Sequence, residues 1–429
     1  MITRDQLAAR LARRNLAAWS LVERAQELAT VDEQRAVARH ERHTRLTVIV
    51  HLDVPTGRGS ARLDLDPIDA EPDDVIDQAI ALATAAVGPA WFSAPPAAPA
   101  RVDVGDPGLV QRELDTAARN TLLAIHRPPA LAVTARVELL REVVSVDTSA
   151  GFHVSWPATL ARASAVVRAP TRDLAITLVR QSRRVDDLDL DTALANAAAD
   201  LALLATAGAP PPAGPCALWL GPDAVLHDDD LGVWAIFAHQ ADAAVERQGL
   251  TRFRLRGELA PGAAQLAEPL SITSDGALDF AIRSTPVADD AVAVRRFPIV
   301  ERGAAAGLGL SAREAALRAS DPNGGVRNLV VAPGTWRAEP AALPVSPRAI
   351  EVRRLAALYV DPTTGDASLD IALGVLHTGD RAPVAFTGGT IHLDLITALA
   401  LARRSSQLVR RGAYHGPAHL WIDDADLEA

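Results

Sequence analysis

The chain predicts an α+β protein with a mixed α/β N-terminal domain and a strand-rich C-terminal one. Three observations lead there. Helical and strand periods alternate through the first 205 residues, Pro210, Pro211, Pro212 and Pro215 crowd a short stretch after them, and short apolar runs broken by Gly and Pro fill the remainder. The domains are accordingly 1–205, with an antiparallel sheet and flanking helices, a Pro-rich linker at 206–215, and 216–429. With 429 residues, 49% hydrophobic and 22% charged, the chain has material for more than one core and is not a disordered polymer.

Leu7, Leu11, Leu16, Trp19, Val22, Ala25 and Leu28 recur at helical spacing and predict one or two amphipathic helices over 3–30. Strands are predicted over Ala36–Glu41 and Thr44–Leu52, and a turn at Val54–Ser60 leads into Ala61–Leu65. A helix follows over Asp73–Ala86, with acidic residues at its positive end. Ala94–Ala100 is an extended connector, Val110–Ile125 is helical, and Leu131–Val146 and Phe152–Arg168 form two strands joined at Asp147–Gly151. Asp186–Leu204 is an Ala/Leu helix, and Ala217–Pro222 is a short buried strand.

Net charge is −10, and no Lys is present, so all 43 basic residues are Arg. An acidic chain without a concentrated basic stripe lacks the footprint that phosphate binding requires, so no nucleic-acid partner is expected. Cys216 is the only cysteine, which excludes an intrachain disulfide and a cysteine-built zinc site and fits a reducing compartment. The mixed, charged opening and the lack of a run near ~18 apolar residues lead us to expect a cytoplasmic protein without a membrane partner.

Candidate chemistry centres on Leu231–Gly249. Val233, Phe237, Ala241 and Ala244 form an apolar helical stripe, which puts His239, Asp242 and Glu246 on another face. His239 is then either a helix histidine, solvated or packed, or the centre of a site with the two carboxylates. His227-Asp228-Asp229-Asp230 allows a metal cluster too, or acidic caps for the helix that follows.

The sequence beyond this helix resembles the TldD/PmbA (TldE) family, the "modulator of DNA gyrase" peptidases. The resemblance runs through Thr285–Val292, Arg295–Gly303 with Gly307, and Arg327–Gly334. It continues through Leu358-Tyr359-Val360, Thr364–Leu369, Gly379-Asp380, Pro383-Val384 and Gly388–Ile391, in the family's order. Earlier, Thr148–Pro157 is similar to the family's "Asn-Ser-x-Gly" hairpin. The resemblance implies a β-barrel-like C-terminal domain. It also implies that the zinc helix, His-Glu-x-x-x-His in active members, is matched here by His239-Gln240-Ala241-Asp242-Ala243-Ala244. Gln240 stands where the general base would be and Ala244 where the second histidine would be. The family's third ligand, a Cys in a C-terminal Gly-rich loop, is absent from Arg411–His419, where His415 and His419 are the available replacements. Residues between Pro222 and His239 exceed the family's spacing.

These departures imply a zinc-less, TldE/PmbA-like subunit with no cofactor of its own, paired in a dimeric or higher assembly with a TldD-like zinc subunit around a peptide. Trp336, Tyr359, Phe386, Tyr414 and Trp421 are candidate wall residues for an extended peptide added to a sheet edge. Two alternatives stay open: a metalloenzyme built on His239 with His227, His415 or His419, and a stand-alone homodimeric peptide-binding protein.

Overall fold

The computed structural model describes residues 2–66, 71–92, 97–126, 132–169, 174–339, 346–379 and 381–428. Leu131, Asp380 and residues 94–96 of the expected connector lie outside them. The N-terminal strands are β1 (Ala18–Asp32), β2 (Val37–Val54), β3 (Gly57–Leu65), β4 (Val87–Gly88), β5 (Ala132–Thr148), β6 (His153–Arg168) and β7 (Ala175–Ser182). They form one antiparallel sheet in the order β4-β3-β2-β1-β5-β6-β7. The helices α1 (Arg4–Leu11), α2 (Pro72–Ala85), α3 (Pro107–Gln111), α4 (Leu114–Ile125) and α5 (Leu190–Leu204) accompany it.

The expected helical stretch over 3–30 is a correction. Only α1 is helical, and residues 18–32 are the central strand, paired along their length with β2 on one side and with β5 on the other. Ala, Glu, Leu and Arg favour helix locally, but two flanking strands and burial on both faces override that preference. Leu21 and Ala29 face the helices, whereas Val22 packs with Val144, Val146, Val287 and Ala291 on the opposite face. The two strands expected over 36–52 are the single strand β2, entered through Ala36 at φ 52. The helix expected over 110–125 breaks at Arg112, whose backbone is extended, and β7 has no counterpart in the sequence reading.

The C-terminal half carries a six-stranded sheet and a barrel among the described residues. The six strands are β9 (Ile272–Asp275), β10 (Arg296–Glu301), β11 (Ala304–Ala305), β12 (Asn328–Val331), β18 (Leu408–Arg411) and β19 (Tyr414–Pro417), in the order β11-β10-β9-β12-β19-β18. The expected tight turn at Arg302-Gly303 is present, with φ 48 and 79, as a two-residue hairpin between β10 and β11 demands. The barrel runs β8 (Gly214–Leu220), β20 (Leu420–Glu428), β16 (Thr390–Asp394), β14 (Asp366–His377) and β13 (Ala349–Val360), and closes because β13 pairs with both β8 and β14. The short strands β15 (Val384–Phe386) and β17 (Arg403–Arg404) add to β14 and β20. Along β8, Cys216, Leu218 and Leu220 join the main core, while Ala217 and Trp219 pack outward with Ala349, Trp421 and Trp336. Burial on both faces explains why β8 reads as one apolar run.

The halves meet through buried ions. Asp200 of α5, 2% exposed, bonds Arg353 at 2.5 Å and Arg354 at 2.7 Å, both on β13. Asp223 bonds Arg180 of β7 at 2.9 Å, Arg354 at 3.2 Å and Arg411 of β18 at 2.7 Å. Removing one partner of such a group leaves an uncompensated buried charge. Asp200→Ala is therefore expected to lower unfolding stability by about 3 kcal/mol in a denaturant titration. Arg295→Ala, which removes the exposed pair with Asp321, should leave the midpoint where it is.

Candidate functional site

The segment 231–249 follows β8 and α6 (Pro222–Val225). Gly232 opens it at φ 54, where an added Cβ would lie 1.8 Å from the Val225 carbonyl oxygen. The helix expected over 231–249 is instead a 3-10 turn at Gly232–Trp234, α7 (Ala235–Gln240) and α8 (Ala243–Arg247). Asp242 causes the break. Its carboxylate accepts from the N–H groups of Ala244 at 2.7 Å and Val245 at 3.2 Å, capping α8, and its backbone bridges to Gly309. His239, Asp242 and Glu246 thus do not share a face: Asp242 caps α8, Glu246 bonds Arg318 at 2.7 Å, and Nε2 of His239 is buried without a partner.

Gln240 is wholly buried and bonded at both ends of its amide. Its Nε2 donates to the carbonyl oxygens of Pro362 at 2.6 Å and Thr363 at 3.4 Å in the β13–β14 turn. Its Oε1 accepts from the N–H groups of Arg252 at 2.7 Å and Phe253 at 3.2 Å. Only an amide offers both a donor and an acceptor here, because an ionised carboxylate cannot donate to the two carbonyls. Ala244 lies in the first turn of α8.

The remaining candidates are scattered. His227 is exposed. Of its acidic neighbours, Asp228 accepts from the N–H groups of Asp230 and Gly232, Asp229 bonds Arg411 at 2.7 Å, and Asp230 pairs with Arg283. His415 sits in β19 opposite Arg410, with its pKa lowered by burial. His419 accepts at Nδ1 from the indole N–H of Trp219 at 3.1 Å, and burial lowers its pKa to about 4, so it is neutral at physiological pH. Among the described residues, no three His, Cys, Asp or Glu side chains converge as they would around a metal ion. Phe386, Tyr414 and Trp421 are core residues, Trp336 packs edge-on against Trp219 and Trp421, and Tyr359 is 66% exposed on β13.

What the sequence reading missed is a cleft of about 510 Å³ at the junction. Arg180, Asp200, Asp223, Arg353 and Arg411 line it together with His419 and residues 407–411 of the β18 segment. Its members come from elements far apart in the chain, and apart from Arg411 and His419 none of those named sits in a motif that the sequence singles out. Burial would raise the pKa of Asp223, but Arg411, Arg180 and Arg354 overcome that and hold it at about 2.

Residues 232–427 match the PmbA/TldA metallopeptidase C-terminal domain family. The likeness to that family therefore lies in the C-terminal part of the chain. No curated protein matches it. Among solved structures it is similar to TldE from Thermococcus kodakarensis, at TM-score 0.75 and 16% identity over 100% of both chains. It is also similar to two proteins described as modulators of DNA gyrase. That from Thermotoga maritima has TM-score 0.77 and 14% identity, over 99% of this chain and 100% of the other. That from Bacteroides thetaiotaomicron has TM-score 0.74 and 14% identity over 100% of both. At such identities the likeness is one of fold.

A catalytic zinc needs three protein ligands, an open position for water and a nearby base. The residues of segment 239–244 do not supply that set. Over 239–244, the stretch that the resemblance matches to the zinc helix, stand one histidine, a methyl group and an amide already bonded at both ends.

Gln240→Glu is expected to lower stability at neutral pH by about 1–3 kcal/mol, because a buried carboxylate would face two carbonyl oxygens. The deficit should shrink as pH falls from neutral toward about 4, because burial and the facing carbonyls raise the folded acid's pKa and the protonated acid can donate, as a denaturant series across pH would show. Asp223, with its pKa depressed, stabilises the fold above its unfolded pKa, and that stability is lost as pH falls through about 2. Asp223→Asn should be less stable than wild type at neutral pH and approach it near pH 2.

Proposed function

We propose that this chain is the non-catalytic, TldE/PmbA-like member of a cytoplasmic two-component zinc peptidase. In that role it encloses and holds unfolded or small peptides, while a TldD-like partner carries the zinc and cuts. The observation that carries this reading is Gln240: at the position of the general base, the side chain is used up in holding α7 to the 362–363 turn and to residues 252–253. The rest of the helix, with Ala244 in place of a ligand, supports the same reading.

The junction cleft supports a peptide-holding role. Among the described residues β18 is the edge strand of its sheet and pairs only with β19. Ala418 N–H donates to the Gln407 carbonyl, so the alternating antiparallel pattern bonds Val409 and Arg411 to β19 and turns the N–H and C=O groups of Leu408 and Arg410 outward. A cleft walled by such an edge suits an extended peptide, whose main chain would add to the strand without regard to sequence.

The test is elemental analysis of the purified chain beside a peptide-cleavage assay, with and without a partner carrying an intact His-Glu-x-x-x-His helix. Zinc below about a tenth per chain, with cleavage only in the mixture, is expected. Near-stoichiometric zinc that disappears in His239→Ala would overturn the proposal, as would a stable homodimer that ignores every such partner.

A further inference from the structure

A second cavity, of about 330 Å³, lies between the N-terminal sheet and the loops that precede β10 and β12. Four arginines line it, Arg24, Arg183, Arg283 and Arg327, against two carboxylates, Glu142 and Asp289. Those carboxylates are already engaged. Asp289 bonds Arg24 at 3.1 Å and Arg62 at 2.7 Å, while Glu142 accepts from Gln26 at 2.8 Å and lies 3.9 Å from Arg24. Arg283 pairs with Asp230.

Arg183 and Arg327 are left over. Among the described residues neither has a carboxylate within the 4.0 Å of an ion pair. Arg183 donates Nη1 to the Thr159 carbonyl at 3.0 Å and Nη2 to those of Ile282 at 2.9 Å and Ser284 at 3.3 Å, and its Nε is buried with no partner. Among the described residues Arg327 makes one side-chain hydrogen bond, from Nε to the Gly324 carbonyl at 2.9 Å, and its two terminal amino groups bond no protein atom. Burial lowers the pKa of both, that of Arg183 to about 10; Glu142 opposes the shift at Arg183, and Asp289 and Asp290 oppose it at Arg327, while the charge of Arg24 adds to it in each. Holding two buried cations whose only counter-charges lie beyond ion-pair distance is costly, and an anion in the cavity would offset that cost.

The wall narrows the chemistry. Val144, Trp156 and Val287 also line the cavity, so the anion should carry an apolar body. The space suits one or two residues of a peptide. We propose that this cavity binds the terminal carboxylate of a peptide ending in an apolar residue, with Arg183 and Arg327 as its counter-charges. That the carboxylate is a peptide's rests on the peptide-holding reading above, whereas the binding of an apolar carboxylate does not.

The test uses the full chain and a fluorescent pentapeptide ending in leucine, as the free acid and as the C-terminal amide, followed by anisotropy at two salt concentrations. The acid is expected to bind at least about tenfold more tightly than the amide, by a margin that narrows at high salt. Arg327→Gln should abolish that preference at an unchanged unfolding midpoint; Arg183→Gln is the second variant, since its three carbonyl contacts tie it to the fold as well. Equal binding of acid and amide by wild type overturns the proposal irrespective of either variant. Competition by N-acetylleucine but not by inorganic phosphate supports it, and equal competition by phosphate overturns it in favour of a general oxyanion site. Neither zinc content nor cleavage in the mixture enters these outcomes, so the two proposals fail separately.

Discussion

The buried network of Asp200, Asp223 and Asp229 with Arg180, Arg353, Arg354 and Arg411 is the constraint on which the two halves depend. It draws on α5 and β7 from the N-terminal half and on α6, β13 and β18 from the other, so no half completes it alone. Ions this deep are poor sources of net stability but severe enforcers of geometry, because each carboxylate oxygen is satisfied in one arrangement only. Arg suits the task, since its planar fork can serve two carboxylates at once. Arg354 does so, bonding Asp200 at 2.7 Å and Asp223 at 3.2 Å. The junction cleft is a by-product of this requirement: charged walls cannot collapse on one another as apolar ones would.

Around α7 a different solution serves the same end. The helix is only six residues long, and an isolated helix of that length would not persist in water. It is held by its apolar residues Ile236 and Phe237 in the main core and by the amide of Gln240, which spans two separate segments. A metal-binding helix can draw on ligand bonds for its placement. This one is placed by protein contacts instead, with Nε2 of His239 alone on the helix buried and unpartnered among the described residues.

Much of the fold was legible, and the misses have definite causes. Strands with β-branched runs and firm turns, β5, β6 and the Arg302-Gly303 hairpin, were read correctly because local and tertiary preferences agree there. β1 was misread because its helix-forming residues are overruled by neighbours on both sides, which no local period reveals. The helix over 231–249 was overextended although its apolar stripe is real: Asp242, weighed as a ligand, is a cap that ends one helix and begins another. The identity of Gln240 was visible, but its bonding was not, since Pro362 and Arg252 become its neighbours only in the folded chain. The arginine cavity was hidden for the same reason, in a chain where every cation is Arg and a functional one looks like any other.

The treatment of Arg across the molecule separates structural from available charge. At the junction each arginine of the network meets a carboxylate, and on the surface most pairs are exposed and weakly coupled. Arg183 and Arg327 fit neither pattern, being part-buried and without an acid. If their role were only to fasten loops, carbonyl contacts would account for all their donors. They do so for most of Arg183 but for little of Arg327, whose terminal amino groups bond no protein atom among the described residues. That difference places the demand for an anion on Arg327, and gives Arg183 the double task of shaping the cavity through three carbonyls while adding its charge to it.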